Sequence, residues 1–321
     1  MHRKQVVTQA MQILCVTFTL AIVGCGHVED PWPAGSPRIL VSIPPLYCFA
    51  KNVAGDEAAV VSVLTTTGPH HFHPSSHDVI KLRKADVFFI VGLELDDAFA
   101  EKMKGGSGNP NLPIVALGTR VKNKLTTPGG PRRHGDHVHG EFDPHAWLGI
   151  PEAAQMVKAI AEELARIDPA NSQKYKTNAD RYVKRLEDIE DYGKKALAGI
   201  SKDKRKIVTF HDSLRYFART FDLHVVDVVR VNPNVEATSQ ELKQLVDVCK
   251  QNHVRVVAIE PQYQTDAANR LVEILQEQGI ADVKLVTIDP METVVNMNDF
   301  DADYYERKMK ENIDRLAEGL R

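Results

Sequence analysis

From Arg38 onward the chain alternates short runs rich in valine and isoleucine with longer amphipathic stretches, and it does so in two separate sets. Few folds accommodate that pattern. A short apolar run bounded by turn residues reads as a buried strand, a longer amphipathic stretch reads as a helix laid over it, and their alternation builds βα units around a mainly parallel sheet. The first set predicts strands over 39–43, 58–64, 87–91 and 114–117, with helices over 45–53, 75–84 and 96–104. The second predicts strands over 207–210, 224–229, 254–259 and 283–288, with helices over 213–220, 239–252, 265–278 and 303–320. In the 239–252 segment Ser239 reads as the capping residue, and Leu242, Leu245, Val246 and Cys249 form a helical stripe.

Between the sets, residues 151–167 and 169–200 carry no strand pattern and are full of good helix formers. Tyr175, Ala179, Tyr182, Leu186 and Ile189 recur at spacings of three and four, which places them on one helical face. A coiled-coil dimer would also use such a stripe, but a single short one with charges elsewhere fits a helix packed along its own chain. At 321 residues the chain exceeds the size at which one core stops growing. The expected fold is therefore α/β with two lobes, each a mainly parallel sheet flanked by helices. An N-terminal lobe over 38–168 and a C-terminal lobe over 201–321 are joined by one long helix over 169–200, and the chain is expected to be monomeric.

Ahead of the first strand, His2, Arg3 and Lys4 precede an apolar run over 13–23 that is too short to span a bilayer as a mature helix. It reads as a signal peptide over 1–25 and implies export. The run ends in Ile22-Val23-Gly24-Cys25, which resembles the lipobox of bacterial lipoproteins and makes Cys25 the expected lipidated residue, with a short tether over 26–37. Simple cleavage of the signal is the alternative. Cys48 and Cys249 then remain, expected on helices of different lobes and read as buried small hydrophobes. A net charge of −3 gives no electrostatic reason to expect nucleic acid.

Open parallel sheets bind ligands beyond the carboxyl ends of their strands. There this chain has a loop with His70, His71 and His73, followed by His77; then His211-Asp212, Glu260-Pro261 and Asp289-Pro290. Asp143-Pro144-His145 stands before the helix that leaves the first lobe. Imidazole and carboxylate donors suit a borderline divalent cation such as Zn²⁺, and four donors drawn from both lobes would enclose it in the cleft between them. An imidazole must be neutral to donate, so binding is expected to weaken as pH falls through about 6.5.

Five motifs in this order carry a resemblance over residues 38–321: Pro69-His70, Asp143-Pro144-His145-Ala146-Trp147-Leu148, Phe210-His211-Asp212-Ser213-Leu214-Arg215-Tyr216-Phe217, Glu260-Pro261-Gln262 and Ile288-Asp289-Pro290. The chain resembles the metal-binding lipoproteins of ATP-binding-cassette importers for zinc and manganese. The resemblance implies extracytoplasmic capture of Zn²⁺, or less readily Mn²⁺, and its delivery to a membrane permease, with no catalysis. It implies His70, His145 and His211 as ligands, and Asp289 or a water as the fourth. It makes Glu260 an acceptor orienting an imidazole, and Trp147 a core anchor. His73 stands where the family often has glutamate, as an auxiliary donor. His134, His137 and His139 form a short counterpart of the family's histidine-rich loop, expected to be disordered and to hold further ions weakly.

Two other readings compete. His71-Phe72-His73 with His77 is similar to the metal motif of zinc hydrolases, but Ser75 stands where an aspartate is needed and there is no H-E-x-x-H helix. A surface adhesin with a purely structural metal is the second; a structural site should unfold when stripped, whereas a capture site must release its ion.

Overall fold

The computed structural model describes residues 32, 37–128, 130, 132–134, 137–229 and 238–321. The expected signal peptide, Cys25 and most of the tether lie outside the described residues. Trp32, within that tether, is buried, and its indole donates to the Lys81 carbonyl at 3.1 Å.

The first set of alternating segments forms β1 (Arg38–Val41), α1 (Pro44–Ala54), β2 (Ala59–Ser62), α2 (Ser76–Arg83), β3 (Val87–Ile90), α3 (Asp97–Gly106) and β4 (Ile114–Ala116). Their strands make one parallel sheet in the order β2-β1-β3-β4, with Ile39 paired to both Val60 and Val87. After it a two-stranded antiparallel ladder, β5 (Arg132–His134) and β6 (His137–His139), occupies the segment expected to be a disordered loop. Val138 is its only apolar residue, so no strand signature marks it. The side chains of His134, His137 and His139 lie outside the description.

Two helices follow, α4 (Ile150–Ile167) and α5 (Ser172–Leu197), and then β7 (Lys206–Thr209), α6 (Arg215–Phe221), β8 (His224–Val228), α7 (Ser239–Asn252), β9 (Val256–Ile259), α8 (Asp266–Glu277), β10 (Lys284–Thr287) and α9 (Tyr304–Leu320). The second parallel sheet has the order β10-β9-β7-β8. All eight strands of the two parallel sheets fall within about two residues of their expected ends, the ordinary uncertainty of a boundary. The cap of α7 differs by one residue. Thr238, not Ser239, accepts the Glu241 N–H at 3.2 Å, while the Glu241 carboxylate accepts the Thr238 N–H at 2.7 Å, a reciprocal arrangement that needs the hydroxyl three residues before the glutamate.

Helix α5 is 26 residues long, so it spans roughly 39 Å. It buries the expected face of Tyr175, Ala179, Tyr182, Leu186 and Ile189 against α1, α4 and α9. The stripe is thus consumed within the chain and leaves no seam for a coiled-coil partner. Each of its large side chains contributes on the order of 2 kcal/mol by leaving water. At Gly193 the helix passes so close to α6 that an added Cβ would stand 2.3 Å from the Phe221 ring. Arg185 of α5 reaches across to Asp303 at 2.6 Å and to the Asn52 side chain at 3.0 Å, tying α5, the start of α9 and α1 together.

One continuous apolar core runs from the first sheet through α4, α5 and α9 to the near face of the second sheet. A second cluster, including Phe210, Leu245, Cys249 and Leu271, fills the space under α7 and α8. Cys48 and Cys249 are both buried and unpaired, as small apolar side chains in these cores. Two such sheets bring the carboxyl ends of their strands toward one another, and the polar loops at those ends meet there.

Candidate metal centre

His70 sits in a single 3₁₀ turn, Pro69–His71, after β2. His145 stands at the start of a second such turn, Ala146–Leu148, that feeds α4. His211 follows β7, and Glu292 follows β10. In the second sheet the chain reverses direction between β7 and β9, the switch point at which a crevice opens. His211 and Glu260 leave the sheet from those two strands and bond across the gap. Hence four segments far apart in sequence deliver three imidazoles and one carboxylate to one place, with a candidate donor atom from each within 4.8 Å of all the others.

Glu292 Oε1 lies 3.3 Å from His145 Nε2 and 3.4 Å from His70 Nε2. Neither approach has hydrogen-bond geometry: both Nε2 atoms and both Glu292 oxygens are buried without a partner. Leaving such groups desolvated and unpaired is costly, so a cluster of them marks the place of a missing partner. Two ligands bound at about 2.0–2.1 Å to a tetrahedral ion stand roughly 3.3 Å apart. The spacing is therefore that of neighbouring ligands on one small cation. Glu292 is fully buried, and His145 and His211 are 3% and 2% exposed, whereas 16% of the His70 side chain is open, making it the outer edge of the site. A cavity of about 610 Å³ lined by Phe72, His73, Glu94 and Phe99 opens beside it.

Carboxylates behind the rings fix their orientation. His145 Nδ1 bonds Asp143 Oδ1 at 2.8 Å, and that oxygen also accepts the His145 backbone N–H at 2.9 Å. His211 Nδ1 bonds Glu260 Oε1 at 3.1 Å; the same oxygen accepts Ser213 Oγ at 2.8 Å, and Glu260 Oε2 accepts Gln262 Nε2 at 2.8 Å. A carboxylate partner requires the proton on Nδ1, which leaves the Nε2 lone pair for a metal. The loops are also clasped together. Trp147 Nε1 donates to the Pro290 carbonyl at 2.8 Å, Tyr305 Oη to the Trp147 carbonyl at 2.6 Å, Tyr216 Oη to the Asp143 carbonyl at 3.0 Å, and the Val294 N–H to the Thr65 carbonyl at 2.6 Å.

These surroundings set the charges. Burial lowers the His70 pKa in spite of Glu292. At His145 burial also lowers it, but Asp143 and Glu292 together outweigh burial and push it up to about 10. His211 is raised because Glu260 overcomes the same burial penalty. Burial would raise Glu292, yet the three imidazoles hold it well below the usual carboxylate range. In the metal-free protein a proton on His145 therefore stands in for part of the cation's charge.

The carboxylate among the histidines is Glu292 rather than the expected Asp289. Asp289 Oδ1 accepts the Met291 N–H at 2.8 Å, and the Asp289 backbone is gripped at both ends by the Asn312 amide. A short carboxylate bonding the backbone two residues on is the usual turn chemistry of aspartate before proline; the longer glutamate three residues later reaches the cleft. Glu260 bonds the His211 ring, and Trp147 is fully buried. His73 and His77 are exposed, and His73 lines the cavity rather than joining the cluster. Sequence reasoning named Asp143 only as part of a motif and did not assign it the hold on His145.

A profile of the family described as "Zinc-uptake complex component A periplasmic" matches residues 39–319. The chain belongs to this family. It is a metal-uptake family, not a family of enzymes. The zinc-binding lipoprotein AdcA of Streptococcus pneumoniae is 28% identical over 314 residues, which are 95% of this chain and 59% of AdcA, so the chain spans about three-fifths of that relative's length. A metal ABC transporter substrate-binding lipoprotein of Lactococcus lactis is 26% identical, with 93% of each chain covered. Among solved structures, the Mn²⁺ complex of FpvC from Pseudomonas aeruginosa superposes with a TM-score of 0.74 at 28% identity, covering 88% of this chain and 97% of FpvC. Among the described residues no helix is long and apolar enough to cross a membrane.

Proposed function

We propose that this protein binds Zn²⁺ through His70, His145, His211 and Glu292, outside the cytoplasm, and passes it to the permease of an ATP-binding-cassette importer. The observation that carries the reading is the set of buried, unpartnered donor atoms spaced 3.3–3.4 Å apart around Glu292 Oε1. Three nitrogens and one carboxylate close a tetrahedral sphere and favour Zn²⁺, whereas Mn²⁺ leans on oxygen donors and six-coordination. Relatives named for zinc, for manganese and for metal ABC transport support the transport role. The lipobox-like Cys25 supports anchoring to the membrane on the extracytoplasmic side. Placement between two sheets, with His70 at an open edge, gives an ion a way in and out without global unfolding. A hydrolytic zinc would need an open position and a free base; here the carboxylate that could serve as base is itself a ligand.

Metal analysis of protein purified without added metal, followed by competition titration, tests this. One zinc per chain that excess Mn²⁺ fails to displace is expected, and ready displacement would assign manganese instead. Stripping with a chelator should leave the protein folded; unfolding would favour a structural metal in an adhesin.

A further inference from the structure

The turn that carries Glu260 also carries an aromatic residue that the capture reading leaves unused. The Tyr263 N–H bonds the Glu260 carbonyl at 3.3 Å, closing that turn. Its half-buried ring stacks on Phe210 at 5.8 Å between centroids and meets the His211 ring edge-on at 6.1 Å. His211 is therefore held from two sides by one turn, through the Glu260 carboxylate and through the Tyr263 ring. The phenol also neighbours Glu292: burial first, and then the charges of Glu292 and Glu260, hold its pKa far above the ordinary value. No properly aligned hydrogen bond joins the two in this structure, since both Glu292 oxygens lack a partner.

Those two oxygens are not equivalent. Oε1 faces His70 and His145, whereas Oε2 is buried and has no donor among the described residues. A carboxylate with one oxygen on an ion and the other unclaimed is free to swing and chelate with both. That adds a coordination position, and a higher coordination number suits Mn²⁺ better than Zn²⁺. A donor on the second oxygen prevents the swing, in the way that outer hydrogen bonds orient metal ligands generally.

We infer that the Tyr263 hydroxyl donates to the non-ligating oxygen of Glu292 when the ion is bound, keeps that carboxylate one-handed, and so tilts the site toward four-coordinate Zn²⁺ and away from Mn²⁺. Tyr263 is then a positioning residue for selectivity. The inference rests on the zinc-capture reading and adds a residue to it.

Tyr263→Phe removes the hydroxyl and keeps the stacked ring, so the metal-free variant should melt at the parent's temperature. Zinc and manganese affinities of both proteins are measured by competition against a chromophoric chelator, and Co²⁺ serves as a spectroscopic probe. The parent should give the intense visible bands of four-coordinate cobalt. The variant should lose about tenfold or more of its preference for zinc over manganese, with weaker bands typical of higher coordination. An unchanged preference with an unchanged cobalt spectrum overturns the role of Tyr263 and leaves the capture reading intact. A parent that itself binds no four-coordinate cobalt overturns the zinc reading on which the inference rests.

Discussion

Raising the pH should tighten zinc binding well beyond the range of an ordinary imidazole, and each ion bound at neutral pH should expel a countable number of protons. At pH 7 His145, with its pKa pushed up to about 10, carries essentially a full proton in the metal-free protein. His70, lowered by burial, carries little, and His211, raised by Glu260, carries part of one. Glu292 is already ionised. Zinc needs all three nitrogens neutral, so binding at pH 7 should release between about one and two protons. The metal-bound form holds fewer protons, so the apparent affinity rises with pH at a slope equal to the number released. From pH 6 to pH 8 the gain should thus lie between roughly 100-fold and 10,000-fold, and it should continue above about pH 7.5, where imidazoles with the ordinary pKa of about 6.5 have all but stopped contributing. The same linkage acts on folding in the absence of metal. A folded pKa of about 10 for His145 gives stability fully present below about pH 6.5 and lost as pH rises through about 10. Calorimetric titrations at pH 7 in non-chelating buffers of different ionisation enthalpy give the proton count directly. A count near zero, with a flat affinity from pH 6 to pH 8, would refute the charge balance assigned to the cluster.

Three further outcomes follow from particular contacts. Asp143→Asn, which weakens the hold on His145 Nδ1, should lower zinc affinity by about 10-fold to 100-fold in competition titration while leaving the fold's circular dichroism unchanged. Deletion of residues 133–140 should remove weak zinc equivalents from a calorimetric isotherm and leave one tight site, because all four clustered donors lie elsewhere. Gly193→Ala should destabilise the protein by about 1–3 kcal/mol in urea unfolding, because the new methyl group meets the buried Phe221 ring at 2.3 Å.

Elements with a strong period were legible before any coordinates. The valine- and isoleucine-rich strands and the Tyr175-to-Ile189 stripe announce themselves because a strand or helix repeats its burial every two residues or every three to four. His145 and His211 were legible as histidines at strand and loop mouths, where a parallel sheet offers its backbone ends to ligands. Selecting His70 from the run that includes His71 and His73 took the family resemblance, since spacing alone cannot say which ring a 3₁₀ turn will aim inward. Glu292 stayed hidden for a different reason. The sequence offers two carboxylates beyond β10, and which one reaches the cleft depends on Asp289 spending its oxygen on the Met291 N–H and on the Trp147 indole drawing in the Pro290 carbonyl. Those are tertiary events without a local pattern. Tyr263 was passed over because an aromatic residue after Glu260-Pro261-Gln262 looks like core until the ring is seen beside His211.

Anomalous diffraction at the zinc edge from crystals of the zinc-loaded protein tests the central claim most directly. A single strong peak within about 2.0–2.2 Å of the Nε2 atoms of His70, His145 and His211 and of one Glu292 oxygen is the predicted result. A peak bonded to Asp289 in place of Glu292, or one seated in the cavity beside His73 with the four-residue cluster empty, would contradict it.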